Sequence, residues 1–213
     1  MNKTQYTLTA LCFITITLFA CKHKTKTLNE AVKAESEARS DTGTIAASSV
    51  NSNKLIVAGK SIGHTALNEP TNNAITALGK PDMADAAMGK SVSVWYDGHN
   101  KNGYTTHIYT STDMGNDNVP RIKLIRVSAP SFKTQNHLYT GMLIPDAQKL
   151  YKLQQLGNFK LNGSNRTLYD DIAAGIAFDT DRSGTITGIG VHEPGKNALN
   201  AYMAFFGEVK SGK

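Results

Sequence analysis

Apolar residues divide the chain into three stretches. Tyr6 to Ala20 is largely apolar, residues 25–53 hold hardly any large apolar side chain, and from Lys54 onward short apolar and polar runs alternate. Within this last stretch two blocks are alike: "GHTALNEPTNNAITALG" (Gly63 to Gly79) and "GMLIPDAQKLYKLQQLG" (Gly141 to Gly157). Each begins and ends with glycine, carries a proline in its first half and closes on an apolar-x-x-Leu-Gly signature. Proline suits a first helical turn and glycine the left-handed position just past a helix end. Each block therefore predicts a short helix whose apolar residues, three apart, face one side.

Strand signals repeat as well. "IKLIRVSAP" (Ile122 to Pro130) and "ITGIGVHEP" (Ile186 to Pro194) share the pattern I-x-x-I-x-V-x-x-P. Apolar residues at alternate places predict a strand with one buried face, which the proline ends. Before the first lie "SVSVWYD" and "YTTHIYT", joined by the hairpin-like "GHNKNG"; before the second lie "RTLYDD" and "AGIAFD". The expected fold is α+β, two tandem modules, each a short helical segment packed on a three- to four-stranded antiparallel sheet. The first spans 54–131; the second spans 132–213 and includes a C-terminal tail. The segments "KPDMADAAMGK" and "STDMGNDNVPR" read as extra loop in the first module.

"ALGKPD" after a glycine-led helix, followed by "WYD" and a meander, resembles the α+β module of the beta-lactamase inhibitory protein and of SmpA/OmlA-type lipoproteins. The resemblance covers roughly Gly59 to Pro194 at the level of pattern. It implies a helical hairpin on one face of an antiparallel sheet, and it speaks to fold more than to function. The inhibitory protein's modules carry disulfides, which a stretch without cysteine cannot form.

Both cysteines, Cys12 and Cys21, lie near the N-terminus. The chain opens with one Lys and an apolar run of about 15 residues, short of the ~20 that span a bilayer. The run ends Leu18-Phe19-Ala20-Cys21, which resembles the lipobox of bacterial lipoproteins. On this reading 1–20 is a lipoprotein signal peptide and Cys21 is the lipid attachment site. Residues 21–53 then form the anchor and a flexible linker. Acyl chains contribute about 0.8 kcal/mol per buried CH₂, so two or three would hold the protein firmly on a membrane. Lys22, Lys24 and Lys26 suit an anionic headgroup surface. The expected location is the bacterial cell envelope, periplasmic or surface facing. An ordinary secretory signal with an incidental cysteine is the alternative.

Charge and motifs narrow the chemistry. From Lys54 on there are 17 Lys plus Arg against 13 Asp plus Glu, dispersed and not interleaved with aromatics, so nucleic-acid binding is not indicated. No phosphate loop, dinucleotide fingerprint or nucleophile elbow appears, and the six histidines form no HxxxH or HxH pair, so neither a cofactor nor a metal is announced. Asp170 and Asp171 are adjacent in a strand and point to opposite faces. "DTDRSG" opens like a calcium loop, but Gly190 stands where the closing carboxylate belongs, and the same residues suit a tight turn. In "SVSVWYD", Trp95 shares a face with Ser91 and Ser93, opposite Val92 and Val94. If the helix covers the valines, Trp95 lies on an open face beside His107 or Tyr109 and anchors a protein partner. Alternatively it fills the seam between the modules. The sequence thus points to a non-enzymatic, inhibitor-like protein-binding module with Trp95, His107 and Tyr109 as partner-binding residues. An envelope hydrolase, or a small-molecule or glycan-binding protein with a site between the modules, is the alternative.

Overall fold

The computed structural model describes residues 50–210; Cys12, Cys21 and the expected signal peptide lie outside them. The first strands are short: β1 (Leu55–Val57), β2 (Ser61–Ile62) and β3 (Thr65–Ala66). Helix α1 (Thr71–Leu78) begins just after Pro70 and ends at Gly79, whose φ of 82° requires the conformational freedom of glycine. Four strands follow: β4 (Met83–Ala87), β5 (Lys90–Tyr96), β6 (Thr105–Asp113) and β7 (Asp117–Val127). After β8 (Lys133–Thr134) and the five-residue helix α2 (Ile144–Gln148) come β9 (Gln154–Leu161), β10 (Ser164–Asp171), β11 (Ile176–Thr180) and β12 (Ile186–His192). Helix α3 (Leu199–Phe206) ends the order.

The larger sheet is antiparallel, with eight strands in the order β4-β5-β6-β7-β12-β11-β10-β9. It consists of two four-strand meanders, and the two I-x-x-I-x-V strands meet at its centre. Ile125 lies opposite Val191, and Val127 opposite Ile189. A smaller mixed sheet, β3-β2-β1-β8, contains the parallel pair β1–β8.

This α+β architecture differs from two similar tandem modules. The large sheet crosses the expected boundary between 131 and 132, and β8, beyond it, pairs with β1. Nor is the second glycine-bounded block a copy of the first. Only Ile144–Gln148 is helical, while Leu156 and Gly157 belong to β9. The physical reason is a close approach: a Cβ on Gly157 would sit 2.5 Å from the Lys210 carbonyl oxygen, so this glycine admits a neighbouring backbone instead of ending a helix. "MADAA" is likewise strand β4, paired along β5, and not loop.

Both faces of the large sheet are covered at its centre. On one, Trp95, Ile108, Ile125, Phe178 and Ile189 form a core with Ile56 and Ile62 of the small sheet and Ala74 of α1. On the other, Tyr109, Leu124, Phe159, Leu168 and Ala177 pack with Ala198, Ala201 and Tyr202 of the C-terminal segment. Each fully buried large side chain contributes roughly 1.5–3 kcal/mol relative to exposure. Of α1's residues only Ala74 is fully buried, whereas Ile75 and Leu78 stay partly exposed.

Candidate functional site

The residues expected to form one recognition face are split between the two sides of the sheet. In β5, alternation sends Trp95 with Ser91 and Ser93 to the side carrying α1 and the small sheet. Trp95 is 6% exposed, and its Nε1–H donates to the Gly79 carbonyl at 2.9 Å, fastening the end of α1 to the sheet. Trp95 therefore sits neither on an open face nor in the central seam, since β5 is two strands away from β7. The expectation inverted the sides: α1 covers the tryptophan, not the valines.

His107 and Tyr109 point the other way, opposite Val94 and Val92, and α3 covers them. The His107 ring meets Phe205 and Phe206 edge-on, with centroids 5.1 and 5.3 Å away. Tyr109 meets Phe205 at 6.4 Å. Burial, reinforced by the Arg126 charge, pushes the His107 pKa down to about 3, and burial raises that of Tyr109.

Beneath α3 lies a buried polar network. Arg126 donates to both Asp179 carboxylate oxygens, Nε at 2.7 Å and Nη2 at 2.9 Å, and both residues are almost wholly buried. Thr187 Oγ1 and Tyr202 Oη also donate to that carboxylate, at 2.7 and 3.0 Å. Burial opposes either charge, but their mutual attraction and hydrogen bonds outweigh it, so Asp179 is held below the usual carboxylate range and Arg126 above its ordinary value. Burial, then the Asp179 charge, raises the Tyr202 phenol well above normal. Arg126 Nη1 has no hydrogen-bond partner among the described residues; the guanidinium carbon lies 5.4 Å from the Phe206 ring centroid. Gly188 is required here, because a Cβ would collide with both Arg126 and Asp179. A second buried contact joins His192 Nε2 to Asp170 Oδ1 at 2.8 Å, while Asp170 Oδ2 accepts the Ala198 N–H at the start of α3. These groups bond one another and line none of the described clefts.

His107 gives this network a pH signature. Its folded pKa is depressed, so the unfolded chain binds the proton first. The contribution is complete above about pH 6.5 and falls as pH drops toward 3, by at most roughly 1.4 kcal/mol per unit. Between pH 6.5 and 4.5, denaturant unfolding should show a loss of about 2–3 kcal/mol. His107→Leu should flatten the profile in that window; an unchanged slope would show that His107 is already protonated in the fold.

The "DTDRSG" segment is a closed turn. Asp181 Oδ1 accepts from Ser183 N at 2.9 Å, Ser183 Oγ at 2.6 Å and Thr185 N at 2.9 Å. Asp179, which a calcium loop would use first, faces Arg126 instead. Among the described residues no three His, Cys, Asp or Glu side chains gather as metal ligands.

The most exposed part of the sheet is the outer portion of the first meander. Every residue of β4 is exposed, and its outer edge pairs with no strand among the described residues. The opposite edge strand, β9, is bridged by the chain's own Lys210 at Asn158. Next to β4, a groove of about 340 Å³ is lined by Ala87, Met88, Val92, Tyr109 and, from α3, Ala204. Met88 of that lining is 90% exposed. Tyr109 is thus the one predicted partner-binding residue that reaches this surface. A signal for β4 existed in the sequence: a short "MG" turn precedes the β5 pattern, as in a hairpin.

No family model matches the chain, and no curated protein matches it. Among solved structures, it is similar to an extracellular protein containing a SCP domain from Bacillus anthracis str. Ames. The alignment covers 60% of this chain and 44% of that one, at 11% identity and a TM-score of 0.37. The chain thus spans less than half of that protein's length, and so slight a likeness bears on neither fold nor function.

Proposed function

We propose that this protein is a lipid-anchored, non-enzymatic binding module of the bacterial cell envelope. It engages an envelope protein by strand addition at β4. The observation that carries this reading is the asymmetry of the large sheet, whose β9 edge the chain's own C-terminal segment bridges while the exposed outer edge of β4 has no partner strand among the described residues. An unpaired edge offers a row of backbone donors and acceptors to an extended segment, which supplies affinity. The groove beside it, with Met88 in its lining, would take a partner side chain, since a flexible Met adapts to varied apolar shapes. Cys21 would carry the lipid, with palmitate among its acyl groups, and residues 21–53 would let the module reach its partner.

The test is position-specific photo-crosslinking in intact envelopes, using the full chain. A crosslinking residue at Ala86 in β4 should capture one discrete envelope protein; the same residue at Lys160 in β9 should not. Cys21→Ser should release the chain from the membrane fraction and abolish labelling by a palmitate analogue. Equal capture from both edges would sink the strand-addition reading, and retained labelling would sink the anchor.

A further inference from the structure

A different part of the molecule carries its own inference, independent of the β4 edge. Where β5 ends and β6 begins, the large sheet and the segment after β7 enclose a cleft of about 510 Å³, within the range of small-molecule sites. Four aromatic residues line it: Trp95, Tyr96, Tyr104 and Phe132. Tyr104 is half exposed at 51%, whereas Trp95 is nearly buried. Because the Trp95 N–H is bonded to Gly79, whatever part of its ring meets the cleft offers only carbon.

Polar groups complete the lining. Asp97 and Ser131 contribute a carboxylate and a hydroxyl, and neither side chain is hydrogen-bonded internally among the described residues. His99 Nδ1 is anchored to Asp82 Oδ1 at 2.7 Å, which leaves Nε2 without a partner on a side chain that is 78% exposed. The anchoring is deliberate in backbone terms, since Gly98 and His99 both have φ of 58°, and a histidine pays strain to adopt the left-handed region. Asp82 in turn accepts the Tyr96 N–H at 2.8 Å, fixing the carboxylate that orients the ring. Lys54 adds a cation whose Nζ sits 4.2 Å from the Phe132 centroid.

From this arrangement we infer that the cleft is a binding site for a short saccharide. Carbon faces of aromatic rings beside unpaired donors and acceptors match a ligand that is apolar across its ring faces and hydroxylated around its rim. A long alkyl chain would leave Asp97, His99 and Ser131 desolvated without partners. A phosphate-rich ligand would face the Asp97 carboxylate with Lys54 as the one permanent cation of the lining.

Trp95 is the chain's one tryptophan, so its fluorescence reports directly on the cleft. The experiment titrates the full chain, held in a detergent without a sugar headgroup, with chitotriose, maltotriose and cellotriose in turn. At least one should give a saturable change in Trp95 emission with a millimolar or tighter Kd. Tyr104→Ala, a surface change that spares the core, should weaken it about tenfold, the loss expected of one stacking ring. Met88→Ala, next to β4, should leave it unchanged and so separate this site from the edge-strand surface. No saturable change with any of the three, or an equal response in wild type and Tyr104→Ala, overturns the inference. A response to octanoate but to no saccharide also overturns it and assigns the cleft to apolar ligands.

Discussion

Trp95→Ala is expected to lower stability by about 3–5 kcal/mol, the range for deleting a buried aromatic ring. The change removes a side chain that is 6% exposed from the core under α1 and frees the Gly79 carbonyl of its indole donor. Collapse of the site is limited on the sheet side, where β5 is paired along both edges. Trp95→Phe keeps a six-membered ring in the core but deletes the indole N–H and part of the ring volume, so it should cost less, about 1–2 kcal/mol. Far-ultraviolet circular dichroism in denaturant is the suitable measurement, because both variants lack the chain's one tryptophan. A loss under about 1 kcal/mol for the alanine variant would mean that Trp95 lies at an accessible surface.

A loss of similar size is expected at the centre of the other face. Asp179→Ala leaves Arg126 charged, buried and without a counterion, and strands the Tyr202 hydroxyl as well. Removing one partner of a buried ion pair costs roughly 3–5 kcal/mol, more than the pair itself contributes, because desolvation remains while the attraction is lost. The double change Arg126→Met with Asp179→Leu replaces both charges by apolar volume and should recover most of that loss. Equilibrium unfolding of the single and double variants decides the matter. If the double variant is as unstable as Asp179→Ala, packing beneath α3 and not the stranded charge sets the cost.

Much of the strand framework was legible because alternation is a direct readout of a half-buried sheet. The two I-x-x-I-x-V segments are the central pair, and the runs around Trp95, His107, Leu168 and Phe178 are strands. Proline and glycine also marked α1 correctly. The failures share a cause, which is that local pattern does not reveal the neighbour. "MADAA" has weak strand propensity and is a strand because β5 offers it an edge. "LQQLG" has helix-ending spacing, yet Gly157 is needed for the approach of Lys210. Alternation told which residues accompany Trp95 but not that both sides of the sheet have cover. That cover was readable: Ala198, Ala201, Tyr202 and Phe205 stand at i, i+3, i+4 and i+7, an amphipathic helix in the segment taken for a tail. Of the rings in the cleft only Trp95 stood out in the sequence, whereas Tyr104 and Phe132 join it through contacts across the fold.

Helix α3 has a further bearing on the order in which this protein can be completed. It is the last described helix of the chain, yet the rings it covers, His107 and Tyr109, belong to β6, roughly a hundred residues earlier. A ribosome therefore releases the first meander long before its second side has any cover. Until α3 is made, the Arg126–Asp179 pair lacks the Tyr202 and Phe206 side chains that lie over it, and the His107 side of the sheet stays open to water. Contacts so far apart in the chain close slowly. Maturation of this fold is accordingly a late, C-terminal event, and a chain that ends before Leu199 remains an unfinished sheet however well its strands pair.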